Sequence, residues 1–386
     1  MPIAAVPKYI ADQNLADASP GMRFGMYLPI WRREEWSRTR DPDWRSICRL
    51  NPSDQDLLRN LNSRQNALAG ISGESALCLS ARATAPFTTG LGNEHPLENG
   101  FAFLWPYGLP YLPGSGVKGV VRRAARELAK GEWGDTHRWS CDKHHSVKSG
   151  RTVIRLSDLD LLFGLESGDG EKEHFRGLLT FWDVIPEISG DLAVDVMTPH
   201  QKHYYQNGEP PHDSGQPVPI TFLTVPPGSR FRFHVVCDTV RLGRLAPELL
   251  AEEDGRPCWQ VRLEAAFQHA FDWLGFGAKT AVGYGAMHML SPEEIEAGER
   301  AERARSLRCE WVDGTLQRLA RENHTGEEQI LRGKQLAECW RALDDASLKE
   351  NALCDIRTRW EEKGWWRHPP GKAARKAREI YEGSGE

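Results

Sequence analysis

Residues 275–285 read GFGAKTAVGYG, and they follow an amphipathic helical stretch from about Cys258 to Leu274. That order is the strongest constraint on the fold. Phosphate-binding loops of nucleotide enzymes run from strand to glycine loop to helix, so that the helix N-terminus meets the phosphate. Here a helix enters the loop, and a strand near Ala281 to Leu290 leaves it. The residue types fail the same templates: Ala278 stands before Lys279 where a P-loop needs Gly, and Thr280 stands where the dinucleotide fingerprint needs one. The glycines serve either a tight helix-to-strand turn or close approach by a sugar-phosphate backbone. For the second role the candidate contacts are Gly275, Gly277, Lys279, Thr280 and Tyr284.

The rest of the pattern fits that direction. Leu77, Leu79, Ala81 and Ala83 alternate with polar residues over Ala76 to Thr84, which predicts a strand with one face on a core. Ser115 then stands ahead of a helical run with Val117, Val120, Val121, Ala124 and Leu128 on its apolar face, closed by Gly131. Extended segments follow at Gly177 to Val184, Val218 to Val225 and Ser229 to Val240, the last with Phe231, Phe233 and Val235 inward. Strand, helix, two or more strands, helix, strand is the split βαβ order of a ferredoxin-like fold, with helices on one face of an antiparallel sheet, an α+β class. The predicted organisation is an N-terminal arm over 1–70, a core over 71–290 and a helical extension over 291–386. Ser291-Pro-Glu-Glu supplies the helix start of that extension, and Trp340 and Trp360 lie on its apolar faces.

Net charge is −5, from 49 Lys and Arg against 54 Asp and Glu, so no protein-wide surface for a polyanion is expected. Locally the balance reverses: Pro110 to Arg155 holds ten Lys and Arg against four acids. Within it, LPGSGVKG (112–119) sets small residues and Lys118 at a helix N-terminus, with Arg122 one turn on, a surface suited to phosphate. No bilayer-length apolar run and no secretory pattern is present, so a cytoplasmic protein without membrane contact is expected. The eight Cys are never closer than 15 positions, which excludes CxxC metal and redox motifs.

Three further groups invite chemistry. His200, Lys202, His203, Tyr204 and Tyr205 lie in an insertion between strands, where His and Tyr could exchange protons beside a phosphate held by Lys202, or contact RNA without cutting it. His137, Cys141, His144 and His145 form a cluster whose spacing matches no standard zinc site. Asp183 and Asp195 near strand ends fit caps better than cation ligands.

TTGLGNEHPLENGFAF (88–103), GLPYLPGSGVKGVVR (108–122), FWDVIP with DVMTPHQKHYY (181–186, 195–205), PVPITFLTVPPGSRFRF (217–233) and GFGAKTAVGYG occur in one order over about 75–290. Together they resemble the RAMP superfamily of CRISPR-associated proteins, and within it the sixth-subunit family of type III-B Cmr effector complexes. The resemblance implies a modified RRM-like fold near one end of a helical backbone of related subunits. The expected partners are guide RNA, target RNA through it, and sister RAMP subunits, with no cofactor. Ser115, Lys118, Arg122, His200, Lys202 and Tyr204 join the glycine-loop residues as expected RNA contacts. No RNP-type aromatic string is present, so ordinary RRM base stacking is not expected. Target cutting in that family is attributed to the repeated backbone subunit, which implies that this chain is not a nuclease. The alternatives are an RNA-processing endonuclease using His200 or His203, and a small-molecule enzyme with a metal at His137, Cys141 and His144.

Overall fold

The computed structural model describes the chain apart from residues 1, 2, 12, 14, 33, 40, 41, 141, 150, 151, 166–173, 199–203, 205–207, 209, 211–218, 254, 307, 308 and 384–386. It forms two compact units, Met1–Leu290 and Ser291–Glu386. In the first, helix α1 (Pro52–Ser72) leads into strand β1 (Ala76–Ala83), then helix α2 (Gly114–Ala129) and a hairpin of β2 (His144–Ser149) and β3 (Thr152–Ser157). Strand β4 (Leu179–Phe181), a second hairpin of β5 (Ala193–Met197) and β6 (Ile220–Thr224), strand β7 (Arg230–Cys237), helix α3 (Cys258–His269) and strand β8 (Met287–Met289) complete it.

Four of these strands make one sheet in the order β8–β1–β7–β4, with every neighbour antiparallel. Helix α2 lies between β1 and β4 in the chain, and α3 between β7 and β8, so two βαβ crossovers interleave. Alternation along the strands decides what the helices cover: Leu77, Ala81 and Ala83 of β1 and Phe231, Phe233 and Val235 of β7 are buried in one cluster with Val117, Val121 and Ala124 of α2 and Leu263, Ala266 and Phe267 of α3. Phe233 sits edge-on to Phe267 with ring centroids 5.4 Å apart. Each such large side chain removed from water contributes about 1.5–3 kcal/mol.

Residues 1–70, expected as an arm, are part of this unit. Phe24, Leu28, Ile30 and Ile47 enter the main core cluster. The Gly21 amide donates to the Gly108 carbonyl at 2.8 Å, and a Cβ at Gly21 would meet the Gly108 Cα at 2.8 Å. The buried Arg23 guanidinium donates to the carbonyls of Ser46 and Arg49. The composition of this stretch hid the packing, because its apolar residues are spread over short elements that form a face only once folded back on the core.

Helix α1 starts at a reciprocal capping box, in which the Asn51 amide donates to Asp54 Oδ2 at 2.9 Å. It contacts both central strands, and its Gln65 donates to the Asp183 carbonyl at 2.8 Å. His234 of β7, which alternates with the core residues, is only 3% exposed. Burial, with Arg232 adding to it, lowers the His234 pKa to about 4. The neutral ring lies 3.3 Å from Cys78 Sγ, whose thiol burial pushes up, so this pair is not an activated nucleophile.

In the second unit, helices over Pro292–Ser306, Glu310–Glu322, Lys334–Arg341, Ala346–Glu362 and Gly371–Tyr381 enclose Val312, Leu316, Ile356 and Trp360. Trp360 is fully buried and donates to the Leu331 carbonyl at 3.0 Å, so it is core, and Trp340 is 8% exposed. No helix among the described residues is long and apolar enough to cross a membrane.

Candidate nucleic-acid interface

The glycine loop is a neck with an exposed tip. Helix α3 passes into one π-helical stretch (Ala270–Leu274) and stops at Gly275, φ 68°. Phe276, fully buried, anchors the neck among Phe233, Phe271 and Phe267, at centroid distances of 5.1, 5.3 and 6.4 Å. Its amide donates to the Gly285 carbonyl at 3.0 Å, the Ala278 amide to the Thr88 carbonyl at 2.7 Å and the Gly285 amide to the Pro86 carbonyl at 2.8 Å. A Cβ at Gly277 (φ 90°) would stand 2.3 Å from the Thr88 oxygen, and one at Gly285 (φ 70°) 1.8 Å from the Phe276 oxygen. The space that the sequence reading gave to a ligand at Gly277 is therefore filled by the chain itself. At Gly283 (φ 96°), on the tip, a Cβ would meet nothing within 4 Å.

The tip is braced by the β5–β6 hairpin, whose strands flank the insertion 198–219. Lys279 takes a left-handed conformation (φ 59°), which turns its ammonium 2.8 Å from Met197 Sδ and 4.9 Å from the Phe222 ring centroid. Tyr284 stacks obliquely on Phe222 at 5.7 Å and donates its hydroxyl to Asp195 Oδ2 at 2.5 Å. Burial and then the Asp195 carboxylate push the phenol up to about 12, so it keeps its proton at neutral pH and is no general base. Met197 and, on the tip, Val282 are exposed, at 40% and 73%. The result is an ammonium set among apolar and aromatic side chains, a combination suited to a nucleic-acid backbone with its bases. The sequence reading weighed Asp195 only as a cap or cation ligand and passed over Met197 and Phe222. The alternation of β5 and β6 was the available signal, but only the fold shows which loop they brace.

The start of α2 differs from expectation. Pro113, not Ser115, is the cap; Ser115 is exposed inside the first turn. The first amide, that of Gly114, donates to Asp183 Oδ1 at 2.7 Å, so a carboxylate already answers that end of the helix. Arg122 is held inside the fold: its Nη2 donates to the Gly164 carbonyl at 2.9 Å and lies 3.8 Å from Asp160 Oδ1. Lys118 is half-buried and has no ion pair or hydrogen bond among the described residues. Elsewhere in the basic stretch, Arg123, Arg138 and Lys143 pair with Glu127, Glu253 and Glu248. Local charge counted along the chain thus overstates the free positive surface.

Of the insertion, Tyr204 is described and 46% exposed, while His200, Lys202, His203 and Tyr205 lie outside the described residues. In the histidine cluster, His145 is spent on a buried network, 2.5 Å from Oδ1 of Asp158, whose Oδ2 accepts from Arg262 at 2.7 Å. His144 Nδ1 lies 2.7 Å from the Asp142 carbonyl, and Cys141 is outside the described residues. No group of three His, Cys, Asp or Glu placed to hold a metal occurs among the described residues.

A family model described as the RAMP superfamily matches residues 80–288, more than half of the chain. The chain belongs to the RAMP superfamily. The matched span begins in β1, ends in β8 and includes the neck, its tip and the start of α2, so the candidate interface lies wholly inside the RAMP region. A curated relative from Pyrococcus furiosus, "CRISPR system Cmr subunit Cmr6", is 30% identical over 242 residues, 51% of this chain and 63% of the relative. The chain thus spans under two thirds of that relative's length. Similar solved structures include a cryo-EM structure of the type III-B Cmr-beta bound to cognate target RNA, at TM-score 0.41 and 18% identity over 64% of this chain and 69% of that one. A crystal structure of Cmr6 from Pyrococcus furiosus matches at TM-score 0.29 and 26% identity, over 56% and 98%.

Proposed function

We propose that this RAMP protein is a non-catalytic, RNA-binding structural subunit of a type III-B CRISPR effector complex, acting in antiviral defence. It would hold the guide RNA backbone near one end of the assembly beside sister RAMP subunits, and meet target RNA through the guide. The observation that carries the reading is the 30% identity to a relative whose name places it in the Cmr system. Two features support it. The interleaved β8–β1–β7–β4 sheet has the strand order expected of a ferredoxin-like frame. The glycine loop, locked at its neck, presents Lys279 and Thr280 at a braced tip, as a backbone-holding element requires.

The chemistry of the described residues favours holding over cutting. Tyr284 and Asp195 are bound to each other with the phenol protonated, and burial holds His234 neutral beside the Cys78 thiol. Cleavage needs a base, an opposing acid and a phosphate clamp that converge. The test is native purification from cells carrying the guide-producing locus, with the bound RNA sequenced and the co-purifying proteins identified. Small guide RNAs and sister subunits are expected. Cleavage of labelled RNA by the purified chain, lost in His200→Ala, would instead establish the endonuclease.

A further inference from the structure

We infer that the helical unit Ser291–Glu386 carries an RNA grip of its own, a basic face on the helix Gly371–Tyr381 where Lys372, Arg375 and Lys376, with Arg367 leading in, take the phosphodiesters of RNA. This rests on the RNA-holding role proposed above and extends it to a part of the chain outside the RAMP match over 80–288.

Charge in this unit is segregated. It holds 18 Lys and Arg against 20 Asp and Glu, yet from 363 to 378 there are six Lys and Arg and no acid. A count along the chain overstates free charge, as α2 shows, so pairing decides the matter. Lys363 lies 3.2 Å from Glu328 and Arg378 2.9 Å from Glu382, which removes two of the six. Arg367, Lys372, Arg375 and Lys376 are exposed, and their side chains have no hydrogen bond or ion pair among the described residues.

Helical geometry gathers three of the four. Ala374, Ala377, Ile380 and Tyr381 are buried, so that side of the helix belongs to the core of the unit. Lys372, Arg375 and Lys376 stand at i, i+3 and i+4 on the other side, within about 6 Å along the axis. Glu379 continues that side one turn on and ends the acid-free stretch. Like charges at these spacings repel, and cations in a first turn oppose the positive end of the helix dipole. The first turn here has neither an acid nor a side-chain cap. A helix selected for stability alone would carry acids there.

The face is also fixed in place. Trp366 stacks on the buried Tyr381, with ring centroids 6.4 Å apart, and stands edge-on to Trp360 at 5.9 Å. The Trp365 amide donates to the Trp360 carbonyl at 2.8 Å. Pro369 and Pro370 then restrict the chain where it enters the helix. The turn bearing Arg367 and the helix bearing the other cations are thus tied to one core, so binding has little backbone to order. An acidic protein would have to bring carboxylates to four particular places. Phosphates recur along an RNA backbone and need no such tailoring, and each one neutralised releases counterions. Arg367 and Arg375 offer forks that match two phosphate oxygens, and the lysines serve as point charges.

The test uses the purified full chain and a fluorescent, unstructured RNA, with anisotropy measured across a salt series. The variants are Lys372→Ala with Arg375→Ala and Lys376→Ala, then Lys372→Glu, Arg378→Ala and Lys279→Ala. Each lost cation of the face should weaken binding by about three- to fivefold at low salt, on RNAs of unrelated sequence alike. The salt slope should fall by about 0.7 per lost contact, so by about 2 in the triple variant. Arg378→Ala should leave both unchanged, and an equal loss there would reduce the effect to net charge and overturn the site. Lys372→Glu should melt at or above wild type, because an acid in the first turn complements the dipole, while its RNA affinity falls; a folding defect cannot imitate that pair of results. If the triple variant keeps wild-type affinity and slope while Lys279→Ala loses both, the basic face is refuted and the RNA role stands. If the wild-type chain retains no RNA, both fall. Loss of sister subunits from the natively purified triple variant, at unchanged RNA affinity, would assign the face to an acidic protein partner and overturn the proposal.

Discussion

Gly277→Ala should cost the first unit about 2–5 kcal/mol, and the figure follows from two sources. At φ 90° an alanine takes a conformation that L residues avoid, a cost of about 1–2 kcal/mol. Its methyl would then lie 2.3 Å from the Thr88 oxygen and 2.7 Å from Phe87 Cε2. The oxygen belongs to backbone that also accepts the Ala278 amide, so it cannot swing aside without opening the neck. Overpacking of this kind adds about 1–3 kcal/mol. Gly283→Ala is the control: its φ of 96° carries the same backbone cost, but its methyl would meet nothing within 4 Å. Urea unfolding followed by hydrogen exchange in peptides covering 80–90 and 275–290 reports this unit separately from Ser291–Glu386. The expected result is a midpoint for Gly277→Ala well below that of Gly283→Ala, with RNA affinity per folded molecule unchanged in Gly277→Ala. Equal midpoints would refute the packed neck, and lost RNA affinity at full stability would return Gly277 to the role of a ligand contact.

His234 is held neutral by burial down to about 4 against an ordinary 6.5, so the unfolded chain takes up a proton that the folded one refuses. Its stabilising effect is complete above pH 6.5 and is lost as pH falls toward 4, by at most about 3 kcal/mol; His234→Gln should flatten that acid limb in a pH series of urea midpoints, and an unchanged limb would refute the assignment. Lys118→Ala should lower RNA affinity and the salt slope by about 0.7 with no loss of stability, whereas Arg122→Met should cost about 1–3 kcal/mol of stability with RNA affinity per folded molecule unchanged. The reverse pattern in anisotropy and melting would exchange their roles. Tyr284→Phe should cost about 1 kcal/mol at neutral pH. The raised phenol makes that stability complete below pH 10 and lost as pH rises toward 12, and alkaline phenolate absorbance of wild type against variant should show one late-titrating tyrosine.

The sequence by itself showed the main helices, the central strands and the family, while the strand expected over Ala281 to Leu290 shrinks to Met287–Met289 and the hairpin over 144–157 went unforeseen. Alternation along Ala76 to Thr84 and Ser229 to Val240, and the apolar stripes of α2 and α3, are local periodicities that each segment carries whatever it packs against. Five motif blocks in one order were enough to name the superfamily. Local periodicity does not say which strands become neighbours or which polar groups meet. The neck at Gly277, the Asp183 carboxylate on the first amide of α2, the internal bonds of Arg122 and the placing of 1–70 in the core all join residues far apart in the chain. A glycine freed for a ligand and one crowded by Thr88 read identically as letters, and a paired arginine counts the same as a free one. Only the tertiary structure decided these points, because close packing and ion pairing depend on what the rest of the chain brings within a few ångströms.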